Sequence, residues 1–130
     1  TNNDYTDQAA FPSSFICTPD YAEANQDILV RFSQAILKAQ VYRAANIESV
    51  AETLAADLDA PVDTMLQSVG EGNWQGAVDC MGDLDTIRGF YEAQQQVFLN
   101  NGTVTEEVPV DNYVLFDVME QAYTAYEAAQ

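Results

Sequence analysis

Carboxylates dominate the side chains of this sequence that could do chemistry, and histidine is absent. The 130 residues include 21 Asp and Glu against four Lys and Arg, and no His. Without an imidazole, the chain lacks the base of Ser-His-Asp and Cys-His catalysis and the usual nitrogen ligand of zinc. No other nucleophile–base pair replaces it. We therefore predict no catalytic residue, no enzymatic activity and no cofactor.

Two groups of aspartates invite comparison with metal sites. They are Asp57, Asp59 and Asp63, and Asp79, Asp83 and Asp85. The first group begins like a calcium loop, but Val62 and Ser68 stand where such a loop needs Gly and Glu. The second group is typical of a helix cap and first turn, where carboxylates are favoured. The sequence thus predicts no metal site.

The net charge of −17 restricts the partners of the chain. A field this negative repels nucleic-acid phosphates and anionic lipid headgroups. We therefore expect no nucleic-acid partner. No apolar run is long enough to predict a membrane span. The two cysteines, Cys17 and Cys80, have apolar neighbours. They are interpreted as buried thiols, with a single disulfide as the alternative.

Apolar residues spaced by three and four predict a mainly helical chain with about five helices. Thr18 is a candidate cap for a short helix that has Pro19 at its first position. Asp83 is a candidate cap for a later helix, which Gly102 would end. The predicted helical segments cover residues 19–24, 26–45, 47–58, a shorter stretch from 61, residues 84–100 and a last stretch from 117.

The N-terminal part of the chain has a different pattern. Residues 1–12 carry no apolar period and are predicted to be an irregular crossover segment, whereas the apolar run from Ser13 to Cys17 predicts one buried strand. A second short extended piece is conceivable at residues 102–104. One strand cannot satisfy its own backbone donors and acceptors, so its partners are expected elsewhere. We expect residues 1–130 to form a single domain or part of a lobe, with residues 18–130 helical.

Several short motifs, taken in order, resemble one protein family. They are FPSSFI at 11–16, YAEANQD at 21–27, LVRF at 29–32, ANIE at 45–48, DLD at 83–85, GTV at 102–104 and VPV at 108–110. In this order and spacing the chain resembles the C-terminal third of the substrate-binding proteins of ABC importers for nitrate, sulfonates, taurine and thiamine precursors. Asn25 and Asn46 depart from that pattern because neither precedes a proline.

The resemblance implies a type II periplasmic-binding-protein fold, in which a small molecule binds between two α/β lobes. Family members are about twice as long, so the chain is expected to be the C-terminal part of such a protein. The residues expected nearest the cleft are Phe11, Ser13, Ser14 and Trp74, because serine hydroxyls donate to an anion or heterocycle and an aromatic ring stacks on it. The implied partner is an ABC transporter permease, and the implied location is extracytoplasmic, either periplasmic or lipid-anchored at the cell surface.

A different class of function stays open from the same residues. Strongly striped helices are also typical of a stand-alone helical module that binds a protein partner and has no role in transport. A fragment of a binding protein should instead expose the sheet edge where its missing N-terminal part belongs, and it should form a self-dimer or aggregate.

Overall fold

The computed structural model describes residues 13–69 and 74–130, and these residues are mainly helical, as predicted. The helices are α1 (Pro19–Ala24), α2 (Gln26–Ala45), α3 (Ile47–Leu58), α4 (Val62–Val69), α5 (Trp74–Asp79), α6 (Leu84–Asn100) and α7 (Phe116–Glu127). A 3-10 turn (Val110–Asn112) lies between α6 and α7. The bounds of α1, α2, α3 and α6 agree with the predicted segments, whereas α5 and the 3-10 turn were not predicted.

The helix ends show why those bounds were readable in the sequence. The hydroxyl of Thr18 accepts a hydrogen bond from the Tyr21 backbone N–H, and Asp83 accepts from the N–H and the hydroxyl of Thr86. At the end of α6, Gly102 has φ +75°, and the N–H groups of Gly102 and Thr103 bond to the carbonyls of Leu99 and Phe98. This is the glycine-ended motif that satisfies orphan carbonyls.

The predicted strand at Ser13–Cys17 is wrong for this structure. Residues 13–18 form an irregular segment, and no strand occurs among the described residues. A ladder needs a second chain segment to accept and donate its hydrogen bonds, and the described helices offer none. Phe15 and Ile16 are consequently 74% and 94% exposed. The extended piece at 102–104 is instead the turn that ends α6.

Helix α2 is the central element, and it packs against α7 on one side and also contacts α5. The Gln34 side chain donates to the Ala125 carbonyl of α7 at 2.9 Å, and Gln26 donates to Asp117 at 3.4 Å. At 100° per residue, Gln26 and Gln34 lie on the side of α2 opposite to Ile28 and Phe32. Ile28 and Phe32 belong to the apolar stripe that predicted this helix; they face away from α7 and are exposed, whereas Leu29 and Ile36 of the same stripe are half-buried.

Helices α3 and α4 form a hairpin that packs mainly on itself and touches the rest of the chain chiefly through α2. Ala51 and Ala55 on α3 are buried, and they are the buried residues among those of the hairpin whose side chains the structure describes. Their small side chains let the two helices approach closely. Asp59 ends α3 in the left-handed conformation at φ 49°, and the N–H of Ala60 bonds to the carbonyl of Ala55 at 3.0 Å.

The C-terminal region holds the larger buried cluster, in which α6, the 3-10 turn and α7 meet. Val110, Val114 and Phe116 are buried there, and four partly buried side chains pack against them: Leu84, Ile87, Tyr91 and Met119. Aromatic residues on the apolar faces of helices are usually core residues, but several in this chain are exposed. The exposed ones among the described residues are Phe15, Tyr21, Phe32, Tyr42, Phe98 and Tyr113.

Two local contacts brace this region. The side chain of Gln95 on α6 accepts from the N–H of Val108 at 2.6 Å and donates to its carbonyl at 2.9 Å, so it substitutes for a backbone partner. Gly82 precedes α6 with φ +80°, and the ring of Tyr123 on α7 covers it so closely that a Cβ there would lie 2.6 Å from Cζ. Only glycine fits both the backbone conformation and the space.

Candidate functional site

The four predicted ligand-binding residues are placed unequally by the structure. Phe11 lies outside the described residues. Trp74 is the first residue of α5, and its side chain is likewise outside the described part. Ser13 and Ser14 are exposed in the irregular segment before α1. Of these four, Ser14 is the one whose side chain the structure brings together with another polar group.

Ser14 is joined to α6 by a hydrogen bond across 77 residues of sequence. Its Oγ lies 2.6 Å from the phenolic oxygen of Tyr91, and either hydroxyl can be the donor. The ring of Tyr91 meets the ring of Tyr113 edge-on, with centroids 6.3 Å apart. Desolvation, reinforced by Tyr91 and Glu92, raises the pKa of the Tyr113 hydroxyl. The three hydroxyl groups of Ser14, Tyr91 and Tyr113 can each donate and accept hydrogen bonds.

Tyr91 and Tyr113 were not predicted as candidate site residues. Tyr91 lies at an apolar position of α6, which is typical of a core residue, while Tyr113 lies in the connecting stretch before α7. The contact with Ser14 depends on how the segment before α1 lies on α6. No local spacing in the sequence could have revealed that contact.

An exposed apolar surface lies next to this hydroxyl group. Phe15 meets Phe32 of α2 edge-on, with ring centroids 4.9 Å apart, although Phe32 remains 42% exposed. Ile16 and Ile28 are exposed beside them in sequence. We define the outer face of α2 as Ile28 and Phe32 of that helix together with Phe15 and Ile16 of the segment before α1. Surfaces of this kind on folded proteins commonly mark contact with another protein segment.

Arg88 forms the strongest polar contact in the C-terminal region, and its role is structural. Its guanidinium makes two hydrogen bonds to Asp111, at 2.6 and 2.9 Å, and lies 4.2 Å from the centroid of the Phe116 ring. The hydrogen bonds from Arg88 lower the pKa of the Asp111 carboxyl. Arg88 on α6 thus connects the 3-10 turn, through Asp111, and α7, through Phe116. Because its guanidinium is already engaged by these two residues, we assign it a structural role.

Carboxylates and thiols do not assemble into a metal or redox site in the part of the chain that the structure describes. No group of three Cys, Asp or Glu there could hold an ion. Asp83 is engaged by Thr86, and these bonds lower the pKa of its carboxyl. Both cysteines are free, and the expectation that both are buried is wrong for Cys17, which is exposed. Burial and the neighbouring carboxylates of Asp83 and Asp79 raise the pKa of the Cys80 thiol, so it is a poor nucleophile.

One shallow depression lies where α2 passes into α3, with a volume of about 370 Å³. Its lining is the consecutive run Ala44–Ser49, with a single carboxylate and no aromatic ring. Ligand pockets normally join several elements around convergent polar groups. This depression therefore does not define a binding site.

Comparison with protein-family models, curated proteins and solved structures gives no significant match to the chain. Among the helices that the structure describes, none combines the length and the apolar character needed to cross a membrane. A function for the chain must therefore be inferred from its residues and their geometry.

Proposed function

We propose that the chain is the C-terminal part of an extracytoplasmic solute-binding protein that delivers a small molecule to the permease of an ABC importer. The observation that carries this proposal is the outer face of α2. Phe15 and Ile16 are exposed in the irregular apolar segment before α1, and the Phe15 ring contacts Phe32, an exposed residue of α2. A β-sheet supplied by the remainder of a two-lobed protein would pair with the segment and cover that face.

The charge and hydroxyl arrangement is compatible with a small anionic or heterocyclic ligand. Ser14, Tyr91 and Tyr113 supply hydroxyl donors and ring edges without a formal charge. Such neutral donors bind anions in water-excluded clefts without an ion pair. Ligand binding would then close the two lobes about a hinge near residues 13–17.

The direct test is the intact mass of the protein from its native source, followed by a matched pair of variants. A mass well above 14.3 kDa is expected, and Phe32→Ser is then made in both the long protein and the 130-residue chain. In the chain alone, the cost should be about 1 kcal/mol because the ring is already exposed. In the long protein it should reach about 3 kcal/mol, because a covered aromatic ring is lost.

Val104→Ser is the control for this pair, since Val104 is exposed and far along the sequence from α2. It should cost the same small amount in both proteins. Equal costs for Phe32→Ser in the two proteins would contradict a covering sheet. Calorimetric titration of the long protein with taurine, nitrate and a thiamine-precursor pyrimidine then identifies the ligand class. The double variant Ser14→Ala/Tyr91→Phe should bind that ligand more weakly.

A native mass of 14.3 kDa would instead favour the second candidate, a helical protein-interaction module. The observation in its favour is the α3–α4 hairpin, which contacts the other helices chiefly through α2 and has exposed apolar residues on α3. A module of this kind should be monomeric and unfold in a single transition at equilibrium.

A further inference from the structure

The turn between α3 and α4 places apolar side chains among carboxylates. Leu58, the last residue of α3, is 64% exposed, and Pro61 and Val62 are exposed just after it. Three exposed carboxylates occupy the same seven residues: Asp57, Asp59 and Asp63. We define residues 57–63 as the hairpin tip. It joins α3 to α4 and lies at the end of α3 opposite to the α2–α3 junction.

The charge around the hairpin tip is of one sign. No lysine or arginine occurs between Arg43 and Arg88, whereas α3 adds Glu48 and Glu52 to the three aspartates of the tip. The ion pairs described for this structure are Arg31–Asp27 and Arg88–Asp111, both on other elements. An exposed leucine inside such a field favours partners that bring both an apolar group and positive charge.

We infer that the hairpin tip is a docking surface for a protein segment that presents an apolar side chain flanked by lysines or arginines. Leu58 supplies the apolar contact, and the carboxylates of Asp57 and Asp63 attract and orient the basic residues. A second copy of the chain fits poorly, because each copy has a net charge of −17 and the same acidic tip. The inference goes beyond the proposed solute binding, since it requires neither a ligand nor a cleft.

The test uses a labelled synthetic helical peptide with a leucine face flanked by lysines, titrated with the protein by fluorescence anisotropy at about 150 mM salt. We expect Leu58→Ala to weaken binding by about fivefold, from the apolar contact that is lost. Asp57→Asn/Asp63→Asn should weaken it by about fivefold as well, from two charge pairs. These positions are exposed, so the circular dichroism of the variants should match that of the parent protein.

Glu106→Gln/Glu107→Gln is the matched control, because it removes the same charge from another exposed segment. It should change the affinity by less than about twofold. Equal weakening by the two double variants would overturn the inference in favour of bulk charge, and an unchanged affinity of Leu58→Ala would overturn it too. A dimer that Leu58→Ala dissociates in sedimentation velocity would overturn it in favour of self-association. None of these readouts depends on the solute, so failure here and failure of the proposed function are separable.

Discussion

The C-terminal region and the α3–α4 hairpin are both helical, but they differ in composition and in what fixes them in place: α6 and α7 carry aromatic residues, and α3 and α4 carry none. In the C-terminal region, the buried side chains of Val110, Val114 and Phe116 are supplemented by the Arg88–Asp111 pair and the Gln95–Val108 pair. The hairpin buries two alanines and contacts the remaining helices chiefly through α2. Specific polar pairs therefore fix the arrangement of the C-terminal region. The hairpin is held mainly by the packing of α3 against α4, which leaves its outer surface available to a partner.

The largest expected effect is from Gly82→Ala, which tests the contact between the C-terminal helices. The left-handed backbone and the ring of Tyr123 both oppose a Cβ at this position. We expect a loss of about 3 kcal/mol in the free energy of unfolding in urea. Gly89→Ala, in the middle of α6 with open space around it, should instead gain about 0.8 kcal/mol. A small loss at Gly82 would mean that Tyr123 does not fix α7 on this turn.

The next effect concerns the close approach of α3 and α4. Ala51→Leu should cost about 2 kcal/mol, because three further carbon atoms must fit between the packed helices. Hydrogen exchange should quicken at the amides of α3 and α4 and stay unchanged in α7. Ala56→Leu on the exposed side of the same helix is the control and should be nearly neutral. Faster exchange in α7 would show that the two regions are one cooperative unit, which would break the comparison.

A pH-dependent effect tests the ion pair that distinguishes the C-terminal region. Arg88 lowers the pKa of the folded-state Asp111 carboxyl, so the pair contributes stability above about pH 3.9, the ordinary pKa of aspartate. That contribution should be lost as the pH falls through the lower folded-state value. The melting temperature of Arg88→Met should therefore be below that of the parent protein at pH 7, and the gap should narrow below pH 3.9.

Arg31→Met is the control for this pair, since Arg31 and Asp27 form an exposed pair within one helix. Exposed pairs of this kind contribute little, so its melting temperature should follow the parent protein across the titration. A gap for Arg88→Met that is constant with pH would assign its effect to packing on Phe116 rather than to the charge of Asp111.

The smallest effect sharpens the account of the hairpin. Asp59 adopts φ 49° and lies at the carboxyl end of α3, where both the backbone and the helix dipole disfavour it. Asp59→Gly should therefore stabilise the chain by about 0.7 kcal/mol in urea unfolding. Asp57→Gly, which removes the same charge from a residue with helical backbone, should change the stability by less than about 0.3 kcal/mol. Stabilisation by neither variant would indicate that the Asp59 side chain makes a compensating contact in the turn.

Helix positions could be predicted from the sequence because their causes are local. Thr18, Asp83 and Gly102 have side chains or backbone freedom that act within three residues, and each one marks its helix end as expected. The face that each helix buries was harder to predict. Helix α2 has apolar residues on two sides, and tertiary packing determines which side α7 covers. The periodicity selected the other side, where Ile28 and Phe32 are exposed and Leu29 and Ile36 are half-buried.

The candidate site could be predicted only in part, because it depends on contacts between distant residues. Ser13 and Ser14 were identified from their motif, yet the partner of Ser14 lies on α6 and has no signature in the local sequence. The strand at 13–17 illustrates the same limit. Its apolar pattern is genuine, but hydrogen-bond partners determine whether such a segment becomes a strand, and the described helices supply none.

The small size of the buried clusters has a thermal consequence. The heat capacity change of unfolding grows with the apolar area newly exposed to water, and in the described residues no large side chain is fully buried. The heat capacity change of unfolding should therefore lie below the ordinary range of about 12–15 cal/mol/K per residue. The free energy of unfolding would then be only weakly curved with temperature, and calorimetry should record a small step between the folded and unfolded baselines.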